Sequence, residues 1–118
     1  MGVSGYDAIR SMCYAVYDYA IENPDVFEAM LWYHKNQDEA SKVATGQLSV
    51  YYTRIMSSLN ISKNDSIHLI RILRSFIEGF FLLVNKGAFG SSLPIKESFD
   101  MALEIMIEGM KSLEKREV

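Results

Sequence analysis

Apolar residues recur at three- and four-residue steps along most of this chain, and no stretch alternates apolar with polar over the length of a strand. The pattern predicts an all-α fold of five helices. The first spans about Tyr6 to Ile21, with Tyr6, Ile9, Cys13, Val16, Tyr17 and Ala20 on one face. Asn23-Pro24-Asp25 ends it and opens the second helix, Pro24 to Lys35, because asparagine suits an N-cap, proline the first helical position and aspartate the positive end of the helix dipole. That helix turns Phe27, Met30 and Leu31 inward, and Trp32 and Tyr33 widen its apolar face.

The third predicted helix runs from Asp38 to Leu59 on a stripe of Ala44, Leu48, Tyr51, Tyr52, Ile55 and Leu59, with Gly46 as an interior weak point. Asn60 closes it, and Ser62 with Asp65 resembles a capping box for the fourth helix, Lys63 to Lys86. Gly87 suits the left-handed residue that follows a helix. The core face of the fourth helix is read as Leu69, Leu73, Phe76, Ile77, Phe80, Leu83 and Val84. The opposite face carries Arg71, Arg74, Ser75, Glu78, Gly79 and Leu82: Arg74 and Glu78 are spaced to pair, and Ser75 and Gly79 are small enough to admit another backbone.

The fifth predicted helix, Pro94 to Leu113, carries Ile95, Phe99, Ala102, Leu103, Ile105, Met106, Ile107, Met110 and Leu113. On a helical wheel they cover about 200°, against the roughly 100° a surface helix needs. Asp100, Glu104, Glu108 and Lys111 keep the remaining face polar. So wide an arc must pack on two sides, one of them its own core and the other most simply a second copy of the chain.

At 118 residues the chain is one ordinary domain, and its 49% hydrophobic and 23% charged residues are globular values. The net charge of −3 argues against a phosphate-neutralising surface. The start, Met1 to Gly5, leads straight into an amphipathic pattern, not a leader's apolar segment, and the longest apolar run, Phe76 to Val84, is far short of the roughly twenty residues of a membrane span. These features predict a reduced, cytoplasmic protein with no membrane partner.

Chemistry is sparse. A lone cysteine, Cys13, permits no internal disulfide and on an apolar helix face reads as a small hydrophobe. Asp65 and His68 form the sole acid-x-x-His spacing, in a helix's first turn, where a solvated or capping role is the plain reading; His34 suits the end of the second helix. No Gly-x-Ser-x-Gly or phosphate-cradling glycine loop is present, so neither an enzyme nor a cofactor or metal site is expected. The aromatics and methionines are more suggestive. Tyr14, Tyr17, Phe27, Met30, Trp32, Tyr51, Tyr52 and Met56 fall on the first three helices and either line a pocket for a mostly apolar ligand or fill a core.

Three segments carry a resemblance. Arg71-Ile-Leu-Arg-Ser-Phe-Ile-Glu-Gly-Phe80, Gly87-Ala-Phe-Gly90, and Glu97-Ser98-Phe99 with Met101-Ala102-Leu103 resemble the C-terminal regulatory domain of TetR-type transcriptional repressors. The branch named for a Trp-His-Gly signature is the most similar, and Tyr17-Asp-Tyr-Ala-Ile-Glu-Asn-Pro24-Asp-Val-Phe27 resembles its junction between the first two helices of the domain. This chain has Glu78-Gly79 where that branch has His-Gly, and Arg74 in place of its tryptophan, so only the close-packing role of Gly79 carries over.

The resemblance implies a bacterial repressor's effector-sensing and dimerisation domain, in which the last two helices of two subunits form a four-helix bundle and a small molecule binds among the others. The expected dimer seam is Arg71, Arg74, Ser75, Glu78, Gly79, Leu82, Phe99, Leu103, Met106 and Met110. The expected contacts to a small hydrophobic or amphipathic effector are Tyr17, Met30, Tyr52, Met56, Phe76 and Phe80. No helix-turn-helix pattern precedes Tyr6, so the expectation is a regulatory domain without its DNA-binding head, making no nucleic-acid contact itself. The rival readings are a helical adaptor presenting the aromatic groove around Trp32 and Tyr33 to another protein, and a carrier or enzyme for hydrophobic substrates that uses Tyr52 or His34.

Overall fold

The computed structural model describes residues 5–33 and 53–114, with side chains at 5–28 and 53–114. Helix α1 is Gly5–Glu22, α2 is Pro24–Tyr33, α3 covers residues 53–57, α4 is Lys63–Asn85 and α5 is Ile95–Ser112. The fold is all-α, with no strand among the described residues. The expected part of the third helix before residue 53, with Ala44, Gly46, Leu48, Tyr51 and Tyr52, lies outside the described residues, as does His34.

Local chemistry sets the helix ends. The Asn23 backbone N–H donates to the Tyr19 carbonyl at 2.8 Å and its side-chain amide to the same carbonyl at 3.1 Å, while its own carbonyl accepts from the Phe27 N–H at 2.9 Å. Asn23 therefore finishes α1 and starts α2 together, with its side chain turned back to α1. Ser62 caps α4 as its spacing predicts, its Oγ accepting from the Asp65 N–H at 3.1 Å. At the other end of α4 the Gly87 N–H donates to the Val84 carbonyl at 3.0 Å and the Ala88 N–H to the Leu83 carbonyl at 2.9 Å. This double closure requires a left-handed residue, and Gly87 sits at φ 61°. Pro94 stands just outside α5 in an extended conformation instead of opening the helix.

The core draws on every described element. Ile9, Met12, Cys13 and Ala20 of α1 meet Phe27 of α2, Ile55 and Met56 of α3, and Leu59 and Ile61 beyond it. Leu69, Leu73, Ile77, Phe80 and Phe81 of α4 and Phe99, Leu103, Ile107 and Met110 of α5 complete it. Each such side chain contributes about 1.5–3 kcal/mol by leaving water. Helices α1 and α5 run antiparallel, bound along their solvent edge by Tyr6 to Glu114, Arg10 to Glu104 and Tyr14 to Asp100.

Two expected assignments on α4 change. Leu83, expected in the core, is 43% exposed, and Phe81, not expected there, is fully buried. The cause is α2. Its Phe27 ring lies 5.3 Å from that of Phe81, and its Pro24 carbonyl accepts from the Asn85 side chain at 3.2 Å. Docking on that side of α4 encloses Phe81 and leaves Leu83 outside.

Candidate functional site

The last helix decides where the site residues fall. Phe99, Leu103 and Met110, expected at a dimer seam, are 0%, 0% and 1% exposed inside the chain's own core. They cannot also face a second subunit. The outward side of α5 carries Met101 and Ile105 instead, at 67% and 65% exposure and one helical turn apart. Burial of Phe99, Leu103, Ile107 and Met110 sets this rotation, and polar contacts to α1 match it along the exposed edge. Arg10 grips Glu104 through two parallel bonds, Nε to Oε1 at 2.8 Å and Nη2 to Oε2 at 3.0 Å, and Tyr14 donates to Asp100 at 2.7 Å. With those acids held against α1, Phe99 and Leu103 point inward, and Met101 and Ile105 are left in water.

The outer face of α4 is largely as expected. Arg71, Ser75 and Leu82 are exposed; Arg74, Glu78 and Gly79 are half-buried. Arg74 and Glu78 pair within the helix at 3.2 Å, and the Ser75 hydroxyl donates to the Arg71 carbonyl at 2.7 Å. A Cβ built on Gly79 would meet nothing within 4 Å, nor would one on Gly109 of α5. Ile72, which the sequence reading omitted, is 52% exposed on the same side as Ser75, Gly79 and Leu82. Its three-residue step to Ser75 was the available signal. Met106 is half-buried beside the core.

Among the expected effector contacts, Tyr17, Phe76 and Phe80 come together. Phe99 is the hub: its ring lies 4.9 Å from Tyr17, 5.3 Å from Phe80, 5.5 Å from Phe76 and 5.8 Å from both Tyr14 and Phe81. Phe27 joins through Phe81, and Phe89 of the α4–α5 connection joins through Phe80 at 5.2 Å. Met56 is buried in the main core, and Tyr52 and the side chain of Met30 lie outside the described residues. The side chains of Trp32 and Tyr33, on which the adaptor reading rested, lie outside them too. Sequence reasoning missed Phe81, Phe89 and Phe99 as partners of this cluster. The pair Phe80-Phe81 was its one visible sign, since adjacent helical rings point about 100° apart and need partners on two sides.

The electrostatics mark a structural edge more than a reactive centre. Tyr14 is pushed up to about 12, first by its bond to the Asp100 carboxylate and then by burial. Burial, followed by the bond to Glu114, raises Tyr6 further still. The bond from Arg10 holds Glu104 below the usual carboxylate range. Burial pushes the Cys13 thiol up to about 12, so it stays protonated and is no nucleophile at neutral pH. The described residues bring no three metal-ligating side chains together and contain no helix long and apolar enough to cross a membrane.

The tyrosine bonds carry a pH signature. A phenol raised in the folded state stabilises the fold below its unfolded value of 10.0 and loses that contribution as pH climbs toward about 12. The urea midpoint of unfolding, followed by circular dichroism, should therefore fall across that window, and Tyr14→Phe, at a cost of about 1 kcal/mol at neutral pH, should flatten the fall. Tyr6 and Cys13 shift in the same direction, so the variant retains a residual slope. An unchanged profile in Tyr14→Phe would mean that its bond to Asp100 contributes nothing.

The described residues thus form a helical domain with an aromatic cluster inside and exposed apolar residues on the outward sides of α4 and α5. The chain matches the family described as tetracyclin repressor-like, C-terminal domain, over residues 9–106, and it belongs to that family. It is 32% identical over 107 residues to YobS of Bacillus subtilis (strain 168), an uncharacterised HTH-type transcriptional regulator. That match takes in 90% of this chain and 55% of the relative, so the chain spans about half the relative's length. No solved structure shows significant similarity to it.

Proposed function

We propose that this chain forms a single effector-sensing and dimerisation domain of a TetR-type transcriptional repressor, in which a small apolar molecule biases the arrangement of two subunits. Family membership and the relative's description as a transcriptional regulator support a regulatory role over an enzymatic one. Reading DNA would fall to a helix-turn-helix segment of the kind named in the relative. The chain's net charge of −3 does not favour a phosphate-neutralising surface on it. The likeness of Gly79, Gly87 to Gly90 and Ser98-Phe99 to the Trp-His-Gly branch supports membership of that branch within the proposal.

The observation that carries the proposal is the two-sidedness of α4 and α5. Each buries one face in its own subunit and shows apolar and small residues on the other: Ile72, Ser75, Gly79 and Leu82 on α4, Met101, Ile105 and Gly109 on α5. Two such helices from each of two copies make a four-helix bundle, in which small residues let the backbones approach. The seam is therefore assigned to Arg71, Ile72, Ser75, Gly79, Leu82, Met101 and Ile105.

The effector site is assigned to Tyr17, Phe76, Phe80 and the Phe99 hub. Among the described residues no charged side chain is buried, so an ionised ligand would lose its hydration with nothing to replace it. A neutral, largely aromatic or aliphatic effector fits. Binding it should favour one dimer arrangement over another, which is all a ligand needs to act as a switch. Sedimentation at micromolar concentration tests the assembly. A dimer is expected, and a monomer overturns the reading.

A further inference from the structure

Tyr17 and Phe76 of the aromatic cluster are half-buried, but Phe80 and Phe99 are covered, so an effector that reaches those two rings needs a way in. The connection between α4 and α5 is the place to look. Every residue from Lys86 to Pro94 is exposed, and from Gly87 to Ile95 no side chain is ionisable. The connection is bonded at its start by the Gly87 and Ala88 N–H groups, and at its end the Pro94 carbonyl accepts from the Glu97 N–H at 3.1 Å. Phe89 follows at once. Its ring is 40% exposed and rests on Phe80, which is 7% exposed and itself packs on Phe76, Phe81 and Phe99.

Beyond Phe89 the chain has room to move. A Cβ on Gly90 would meet nothing within 4 Å, and Ser91 stands at φ 87°, in the left-handed region that a serine rarely adopts. That conformation costs about 1 kcal/mol, which a change of backbone angle at Ser91 would release. A hydrogen bond from the Leu93 N–H to Ser91 Oγ at 3.2 Å braces it. Leu93 is 72% exposed, so the outer lip of this segment is apolar as well.

We infer that Phe89 is a gate: it swings off Phe80, with Gly90 and Ser91 as the hinge, to admit a neutral apolar effector to the Phe76–Phe80–Phe99 cluster. This rests on the effector-site assignment above. Opening uncovers Phe80 first, and the incoming molecule takes over the ring contact that Phe89 gives up. The gate then controls how fast effector enters and leaves, and contributes little to how tightly it is held.

Stopped-flow fluorescence with the neutral dye N-phenyl-1-naphthylamine tests this on the whole chain. Phe89→Ala removes one aromatic contact at the surface, so it should keep the fold, as circular dichroism will report. Association and dissociation rates should both rise about tenfold, the value of one aromatic pair, with affinity within about threefold of the parent. Phe80→Ala should instead change affinity. Dye that binds with rates unaltered in Phe89→Ala, while Phe80→Ala shifts affinity, overturns the gate and leaves the effector site standing. Dye that binds neither parent nor Phe89→Ala, or binds with no response to Phe76→Ala and Phe80→Ala, overturns the site and the gate together.

Discussion

Replacing Phe99 by alanine is expected to lower the unfolding free energy by about 3–5 kcal/mol, a large part of the 5–15 kcal/mol that holds a typical domain together. The ring is fully buried and touches five other rings from α1 and α4. Its loss removes the apolar transfer term and also leaves a cavity that stiff neighbouring rings cannot collapse into. Urea denaturation followed by circular dichroism measures it. A loss below about 1 kcal/mol would mean that the cluster is loosely packed and that Phe99 is not its hub. Phe99→Ala should not dissociate the proposed dimer at concentrations where the variant remains folded, because the side chain is buried within its own subunit.

Ile105→Glu is expected to do the opposite: leave the subunit folded and separate the pair. The side chain is 65% exposed in the single chain, so the fold does not depend on it. At a seam its replacement forfeits buried apolar area and forces a carboxylate out of water, together about 2 kcal/mol per subunit. A two-fold interface repeats the change in both copies. The combined cost of about 4 kcal/mol raises the dissociation constant about a thousandfold. Analytical ultracentrifugation should find a folded monomer. A variant that stays dimeric would move the seam away from α5. Leu103→Ala is the contrasting control, since the earlier assignment of Leu103 to the seam predicts dissociation, whereas its burial predicts a loss of about 2–5 kcal/mol in stability with the dimer retained.

Where the helices begin and end was legible because the deciding interactions are local. Ser62 caps Asp65 three residues away, Gly87 reaches carbonyls within a few residues, and Asn23 joins α1 to α2 by bonds to Tyr19 and Phe27. Spacing within one helix also placed Ile9, Cys13, Leu69, Leu73 and Ile77 on buried faces. Tyr17, Phe76 and Phe80, grouped in the sequence as candidate contacts to an effector that remains a proposal, meet around the ring of Phe99. That the chain would be helical, and kin to TetR-type regulators, was in the residues themselves.

How α5 is rotated was not. Periodicity states the angles between residues on one helix, but an apolar arc wider than half a turn is satisfied by several rotations against its neighbours. The choice belongs to contacts distant in sequence: the packing of Phe99 on rings of α1 and α4, matched at the exposed edge by Arg10 with Glu104 and Tyr14 with Asp100, at separations of 94 and 86 residues. Those contacts turned Phe99, Leu103 and Met110 inward and Met101 and Ile105 outward, as the docking of α2 exchanged Phe81 for Leu83 in the core. Helix formation and capping are short-range and follow from the order of the amino acids. Which face a helix buries is settled only when several helices compete to cover one another, and that competition exists in the folded chain alone.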